Sequence, residues 1–244
     1  MDIAFKSVTK NYGLITALKD VTFRVKRGDF ILLTGPSGSG KTTIFKIVLG
    51  EIKPTQGNII INKTDISSIK KRQMEEIRKK IGVIFQDYQL VFDKTVEENI
   101  ALALDIIQYD TQSRLSKIEK VLKTVGLLGR RYLFPSQLSG GELQRTALAR
   151  ALAIDPEMIL ADEPMGNLDE VNALNLIELF KKINLENQTT IIMATHNPYF
   201  ISKLDYPKIE IEFGQIKSKP ETDEKETLLK TKKIKKTKTK KNVS

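Results

Sequence analysis

Hydrophobic and polar positions follow a strand period at both ends of the chain and a helical period in the middle. Residues 2–9, 17–25 and 29–34 are rich in Val, Ile, Phe and Thr. Asn11-Tyr12-Gly13 and Arg27-Gly28-Asp29 punctuate them as turns, so three strands are predicted. Lys53 to Gly57 reads as a turn, Asn58 to Ile61 as a strand, residues 72–79 as a helix, and Ile81 to Phe85 as a strand ending on Gln86. Between 95 and 135 strand signals vanish; Val96 to Ile107 and Leu115 to Val125 carry apolar residues at helical spacing. The pattern predicts a helical insertion, about residues 95–153, closing with a helix from Leu143 to Ala153. A short apolar strand, Met158 to Ala161, then ends in Asp162-Glu163. A helix over 170–184, a strand over 189–193 and an edge hairpin near 208–216 complete an α/β core. From 217 onward the composition is Lys, Thr and Glu, too polar to build a core.

One stretch breaks this pattern with chemistry. Gly35-Pro36-Ser37-Gly38-Ser39-Gly40-Lys41-Thr42-Thr43 fits Gly, four residues, then Gly-Lys-Thr. Its glycines permit backbone angles that let successive N–H groups turn inward around an anion. Lys41 adds a cation for β/γ-phosphates, and the Thr42 hydroxyl can ligate Mg²⁺. An apolar strand precedes the loop and a helix can open after it, placing the helix N-terminus under the phosphates.

Bulk properties narrow the setting. The 244 residues suit one large α/β domain or two small ones, and no run of 18 apolar residues would cross a membrane. The first residues lack the pattern of a signal peptide, and the absence of cysteine excludes disulfides and thiolate metal sites and fits a cytosolic setting. The net charge of +10 suggests nucleic acid until it is mapped: residues 217–244 hold eleven lysines against four acids, leaving only +3 for the first 216 residues. Eight of those lysines lie between 230 and 241, a solvated tail or an attraction to anionic lipid.

Other residues complete a nucleotide site. Asp162, ending a buried strand downstream of the phosphate loop, can hold Mg²⁺ opposite Thr42, and Glu163 can polarise an attacking water. His196, the single histidine, follows a strand expected beside the phosphate-loop strand, where it is either structural or a donor to the γ-phosphate. Gln86 ends a strand within reach of Mg²⁺ or the water. Tyr12 is either a turn tyrosine or a platform for a base. Ser139-Gly140-Gly141-Glu142 offers a hydroxyl and N–H groups at a helix N-terminus, at the far end of the insertion. Two copies packed head to tail could each close the other's nucleotide with it.

In order, the phosphate loop, Gln86, Leu138 to Arg145, Ile159 to Pro164, Gly166-Asn167-Leu168-Asp169 and His196 resemble the ATPase subunit of ABC transporters. The resemblance covers roughly residues 1–216 and implies a P-loop ABC ATPase domain with an N-terminal antiparallel β region and a helical subdomain. It implies ATP and Mg²⁺, a homodimer with ATP sandwiched between subunits, Tyr12 on adenine, and Ser139 and Gly141 on the partner's γ-phosphate. It further implies that Asp169 couples the two sites, Glu163 is the catalytic base and His196 the γ-phosphate sensor. Ile81 to Val96 and Met193 to Asn197 are similar to the FtsE group of cell-division ATPases. That likeness implies an integral membrane partner of the FtsX type, a peripheral place on the cytoplasmic face of the inner membrane, and no nucleic acid. Lipoprotein-releasing and macrolide-efflux ATPases are the alternative. Met165 stands where Thr or Ser is usual in the group, at a position without direct chemistry.

Overall fold

The computed structural model describes residues 1–218 and residue 220; the lysine run of 230–241 lies outside them. The strands are β1 (Ile3–Tyr12), β2 (Ile15–Val25), β3 (Phe30–Thr34), β4 (Gln56–Ile61), β5 (Thr64–Asp65), β6 (Ile81–Ile84), β7 (Met158–Asp162), β8 (Thr190–Thr195), β9 (Lys208–Glu212) and β10 (Gln215–Ser218). The helices are α1 (Lys41–Val48), α2 (Lys71–Arg78), α3 (Val96–Ile106), α4 (Arg114–Thr124), α5 (Gly140–Ala153), α6 (Glu170–Asn187) and α7 (Pro198–Lys203).

They build two sheets. An antiparallel sheet runs β2-β1-β4-β5, and a second runs β10-β9-β3-β8-β7-β6, parallel from β9 to β6. The parallel strands are buried on both faces, so they read as continuous apolar runs. Alternate side chains serve two cores. Phe30, Leu32, Ile159, Ala161, Ile191 and Met193 pack with α3, α4, α5 and α6. Ile31, Leu33, Met158, Leu160, Ile192 and Ala194 pack with α1 and the antiparallel sheet. Carboxyl ends of β3, β7 and β8 therefore lie side by side at one edge of the parallel sheet, where ligands of open α/β sheets bind.

The inserted helices are set by their caps. Thr95 accepts from Glu98 N–H while the Glu98 carboxylate accepts from Thr95 N–H, a reciprocal cap at the start of α3. Asn99, fully buried, donates to the carbonyls of Val91, Lys94 and Thr95 and accepts from Val91 N–H, fastening the 91–95 loop to α3.

Several boundaries differ from the sequence reading, and three of them bear on the site. Tyr12 is not in the turn: β1 continues through it, pairing it with Ile15, and the reversal falls on Gly13, at φ 58°. α5 starts at Gly140 rather than Leu143, because the Ser139–Glu142 capping box carries two poor helix formers through the first turn. The last hairpin runs to Ser218, two residues past the expected boundary, since Lys217 pairs with Glu212 at 2.7 Å. Among the described residues no helix is long and apolar enough to cross a membrane.

Candidate functional site

Residues 35–40 join β3 to α1, and their shape is enforced by what surrounds them. Gly35 has φ 145°, and a Cβ there would stand 2.0 Å from the Ile211 carbonyl oxygen of β9. Gly40, at φ 114°, abuts Leu18 and the Ala17 carbonyl of β2. The β9–β10 turn locks the loop from outside: Gly214 N–H donates to Ser39 O at 3.0 Å. Lys41, buried, donates through Nζ to Gly35 O at 2.7 Å and Pro36 O at 3.0 Å. Burial lowers its pKa, opposed by the charges of Glu163 and then Asp162.

Asp162 and Glu163 end β7 with different partners. Thr42 Oγ1 donates to Asp162 Oδ2 at 3.0 Å. Burial raises the Asp162 pKa, and the Thr42 hydrogen bond works against it. A hydroxyl and a carboxylate oxygen side by side suit a hard cation such as Mg²⁺, which takes oxygen ligands and keeps several waters. Glu163 is turned away by a left-handed backbone, φ 47°, held by Glu163 N–H to Ala194 O at 3.0 Å. Its Oε1 lies 2.6 Å from His196 Nδ1. A carboxylate only accepts, so Nδ1 carries the hydrogen, and Nε2 has no partner among the described residues.

Gln86 follows β6. Asn167 Nδ2 donates to its carbonyl at 3.1 Å, and Gly166 leaves room for its amide, which is 3.4 Å from where a Cβ would sit. Asp169 caps α6, accepting from Asn172 N–H at 2.9 Å and Nδ2 at 2.6 Å, which holds its pKa below the usual carboxylate range.

Ser139 to Glu142 open α5. Ser139 N–H and Oγ donate to Glu142 Oε2 at 2.8 and 2.9 Å, and Arg130 Nε donates to Oε1 at 2.7 Å. The arginine first, then Ser139, hold the Glu142 pKa down at about 2. Gly140 lies against Asn167 and the Tyr88 hydroxyl, and Gly141 against Asn172, 2.9 Å from where a Cβ would be. Among the described residues, none of the hydrogen bonds of 139–142 reaches the loop of 35–43. Tyr12 is half exposed at the end of β1, with Lys10 Nζ 5.1 Å from its ring centre.

The structure thus gathers Lys41, Thr42, Asp162, Glu163 and His196 at one sheet edge. Sequence reasoning missed the residues that fix them: Asn167 on Gln86, Asn172 on Asp169, Arg130 on Glu142, and the Ile211–Gly214 hairpin on the phosphate loop. Asn172, at the third position after the Asp169 cap, had a readable signal; the others act across sequence separations that no local pattern reports.

A phosphate-cradling loop at the carboxyl end of a central parallel strand, with two acids ending β7, two strands away, defines a P-loop nucleoside triphosphatase. More specifically, the chain belongs to the ABC transporter family, whose model matches residues 18–166, and it is an ABC-type ATPase. It is similar to the cell division ATP-binding protein FtsE of Mycobacterium tuberculosis, 38% identical over 218 residues, covering 88% of this chain and 94% of that protein. The methionine import ATP-binding protein MetN 2 of Enterococcus faecalis is 40% identical over 211 residues, covering 86% of this chain and 61% of that protein. Among solved structures, the dimeric post-hydrolysis state of the ATP-binding cassette MJ0796, bound to ADP and Pi, superposes with a TM-score of 0.80 at 34% identity, covering 88% of this chain and 97% of that one.

Proposed function

We propose that this chain is the ATP-hydrolysing subunit of a cell-division complex of the FtsE–FtsX kind, working as a homodimer against a membrane partner at the cytoplasmic face. Residues 1–216 form its ATPase domain, with 95–153 as the helical part. One observation carries the dimeric reading: Lys41, Thr42, Asp162, Glu163 and His196 converge at one sheet edge, while among the described residues no hydrogen bond joins Ser139 to Gly141 to the loop of 35–43. A site so divided is completed by a second copy. The MJ0796 cassette, which is dimeric with ADP and Pi bound, supports that arrangement.

Membership of the ABC ATPases supports the following chemistry. The N–H groups of 35–43 and Lys41 hold the β- and γ-phosphates, and Tyr12 stacks on adenine. Thr42, Asp162 and Gln86 would hold Mg²⁺, which when bound would neutralise charge on the phosphate oxygens. Glu163 takes a proton from water as the water oxygen bonds to the γ-phosphorus and the bond to the ADP oxygen breaks. His196 steadies that carboxylate by donating from Nδ1 and, when both ring nitrogens carry hydrogen, donates from Nε2 to the γ-phosphate. Ser139 and Gly141 of the second copy donate to the same phosphate, so hydrolysis removes the contact that holds the copies together, and Asp169 relays the change between sites. The surface of residues 87–100 transmits it to the membrane partner.

Likeness to FtsE over nearly the whole of both chains supports the division role. The test is capture from native membranes with a Glu163→Gln bait and ATP. We expect an integral membrane protein with a few spanning helices and an extracytoplasmic domain that binds wall hydrolases. Recovery of an import or export permease instead overturns the division role.

A further inference from the structure

The loop after Gln86 is bent into a shape its residues disfavour. Tyr88 and Gln89 are consecutive non-glycine residues at φ 60° and 47°, where the Cβ crowds the backbone carbonyl. Two such residues in a row persist only where their surroundings over-determine them. Within the loop Tyr88 N–H donates to Phe85 O and Gln89 N–H to Asp87 O; from outside it, Arg150 holds both carbonyls. Its Nη2 donates to Tyr88 O at 3.0 Å and its Nη1 to Gln89 O at 2.5 Å. No carboxylate pairs with it among the described residues, and the side chain is partly buried, so its remaining role is this grip on two carbonyls.

Arg150 is placed at a junction. It lies three turns along α5 from Ser139, about 16 Å down a rigid helix. One residue on, α5 meets β6, the strand that leads to Gln86: a Cβ on Gly82 would stand 3.0 Å from Ala151 O. Anything that reorients α5 at that contact pulls on the loop through Arg150.

We propose that Arg150 is a positioning residue for Gln86: its two-point hold on the Tyr88 and Gln89 carbonyls sets the stance of Gln86 at the nucleotide and ties it to the orientation of the helix bearing Ser139. The inference rests on the role of Gln86 at Mg²⁺ or the attacking water given above. Closure of a second copy on Ser139 thereby registers at Gln86 within the same chain, although the two residues belong to different nucleotide sites.

The test is a double-mutant cycle on steady-state ATP hydrolysis, with Arg150→Met and Gln89→Gly. Methionine keeps the stem and cannot hold a carbonyl. Glycine takes the left-handed angle freely, so the loop depends less on the arginine. Arg150→Met is expected to lower kcat about tenfold while KM for ATP stays within about twofold, since residues 35–43 and Tyr12 are untouched. In the Gln89→Gly background the same substitution is expected to cost at least about threefold less. Where Arg150→Met melts early by circular dichroism, Arg150→Lys, which cannot span both carbonyls, replaces it in the cycle. An equal loss in both backgrounds, or a loss confined to KM, overturns the proposal. Gln86→Ala separates the two levels: unchanged turnover removes the role of Gln86 and this proposal with it, whereas a drop in turnover without rescue of Arg150 by Gln89→Gly overturns this proposal alone.

Discussion

Lys41 lends its ammonium to two carbonyls of its own loop, Gly35 O and Pro36 O. Both contacts are with neutral oxygens, so a triphosphate is the stronger partner for a largely buried cation. Lys41→Ala is expected to weaken ATP binding by about tenfold to a hundredfold, the span of one charge-assisted hydrogen bond, read by fluorescence titration with an ATP analogue. Unchanged affinity would contradict the phosphate-loop reading. Glu142 offers a pH signature. Its folded pKa, about 2, lies below the ordinary 4.5, so its contribution to stability is full above 4.5 and is lost as pH falls toward 2. Arg130 is the main cause. Arg130→Ala should raise the Glu142 midpoint toward 4.5 and shift acid unfolding to higher pH, measured by NMR titration of the side-chain carboxyl carbon. A Glu142 midpoint that does not move would show that Ser139 alone holds the carboxylate.

At the scale of elements, packing decides what could be read in advance. β3, β7 and β8 were legible because burial on both faces demands an unbroken apolar run. α6 was legible from its period: Ala173, Leu176, Ile177, Phe180 and Ile183 form its buried stripe. Phe180→Ala, at a fully buried site, is expected to cost about 3–5 kcal/mol, read as a lower urea midpoint at constant slope. A cost below about 1 kcal/mol would mean that the α6 contact with the sheet is not part of the core. The start of α5 was hidden because Gly140-Gly141 argues against helix until the Ser139–Glu142 box is seen. The strained turn at Tyr88-Gln89 was also invisible, since neither residue type announces a left-handed backbone and Arg150, which holds it, lies more than sixty residues on.

For the whole molecule, the sequence motifs were plain but their pairing was not. Phosphate loop, Asp162, Glu163 and His196 could be listed in order from the chain alone; that Thr42 meets Asp162 and His196 meets Glu163 depends on β3, β8 and β7 being neighbours in that order. Among the described residues no hydrogen bond joins Ser139 to Gly141 to residues 35–43 of the same chain. On the proposed function, ATP joins two copies and hydrolysis parts them. Light scattering on a sizing column with Glu163→Gln, with and without Mg²⁺ and ATP, tests it directly. Without nucleotide the mass should be that of one chain, 27.6 kDa; with ATP it should double, and turnover should be lost. A Glu163→Gln protein that binds ATP yet stays at the mass of one chain, or one that hydrolyses at the wild-type rate, would contradict the account.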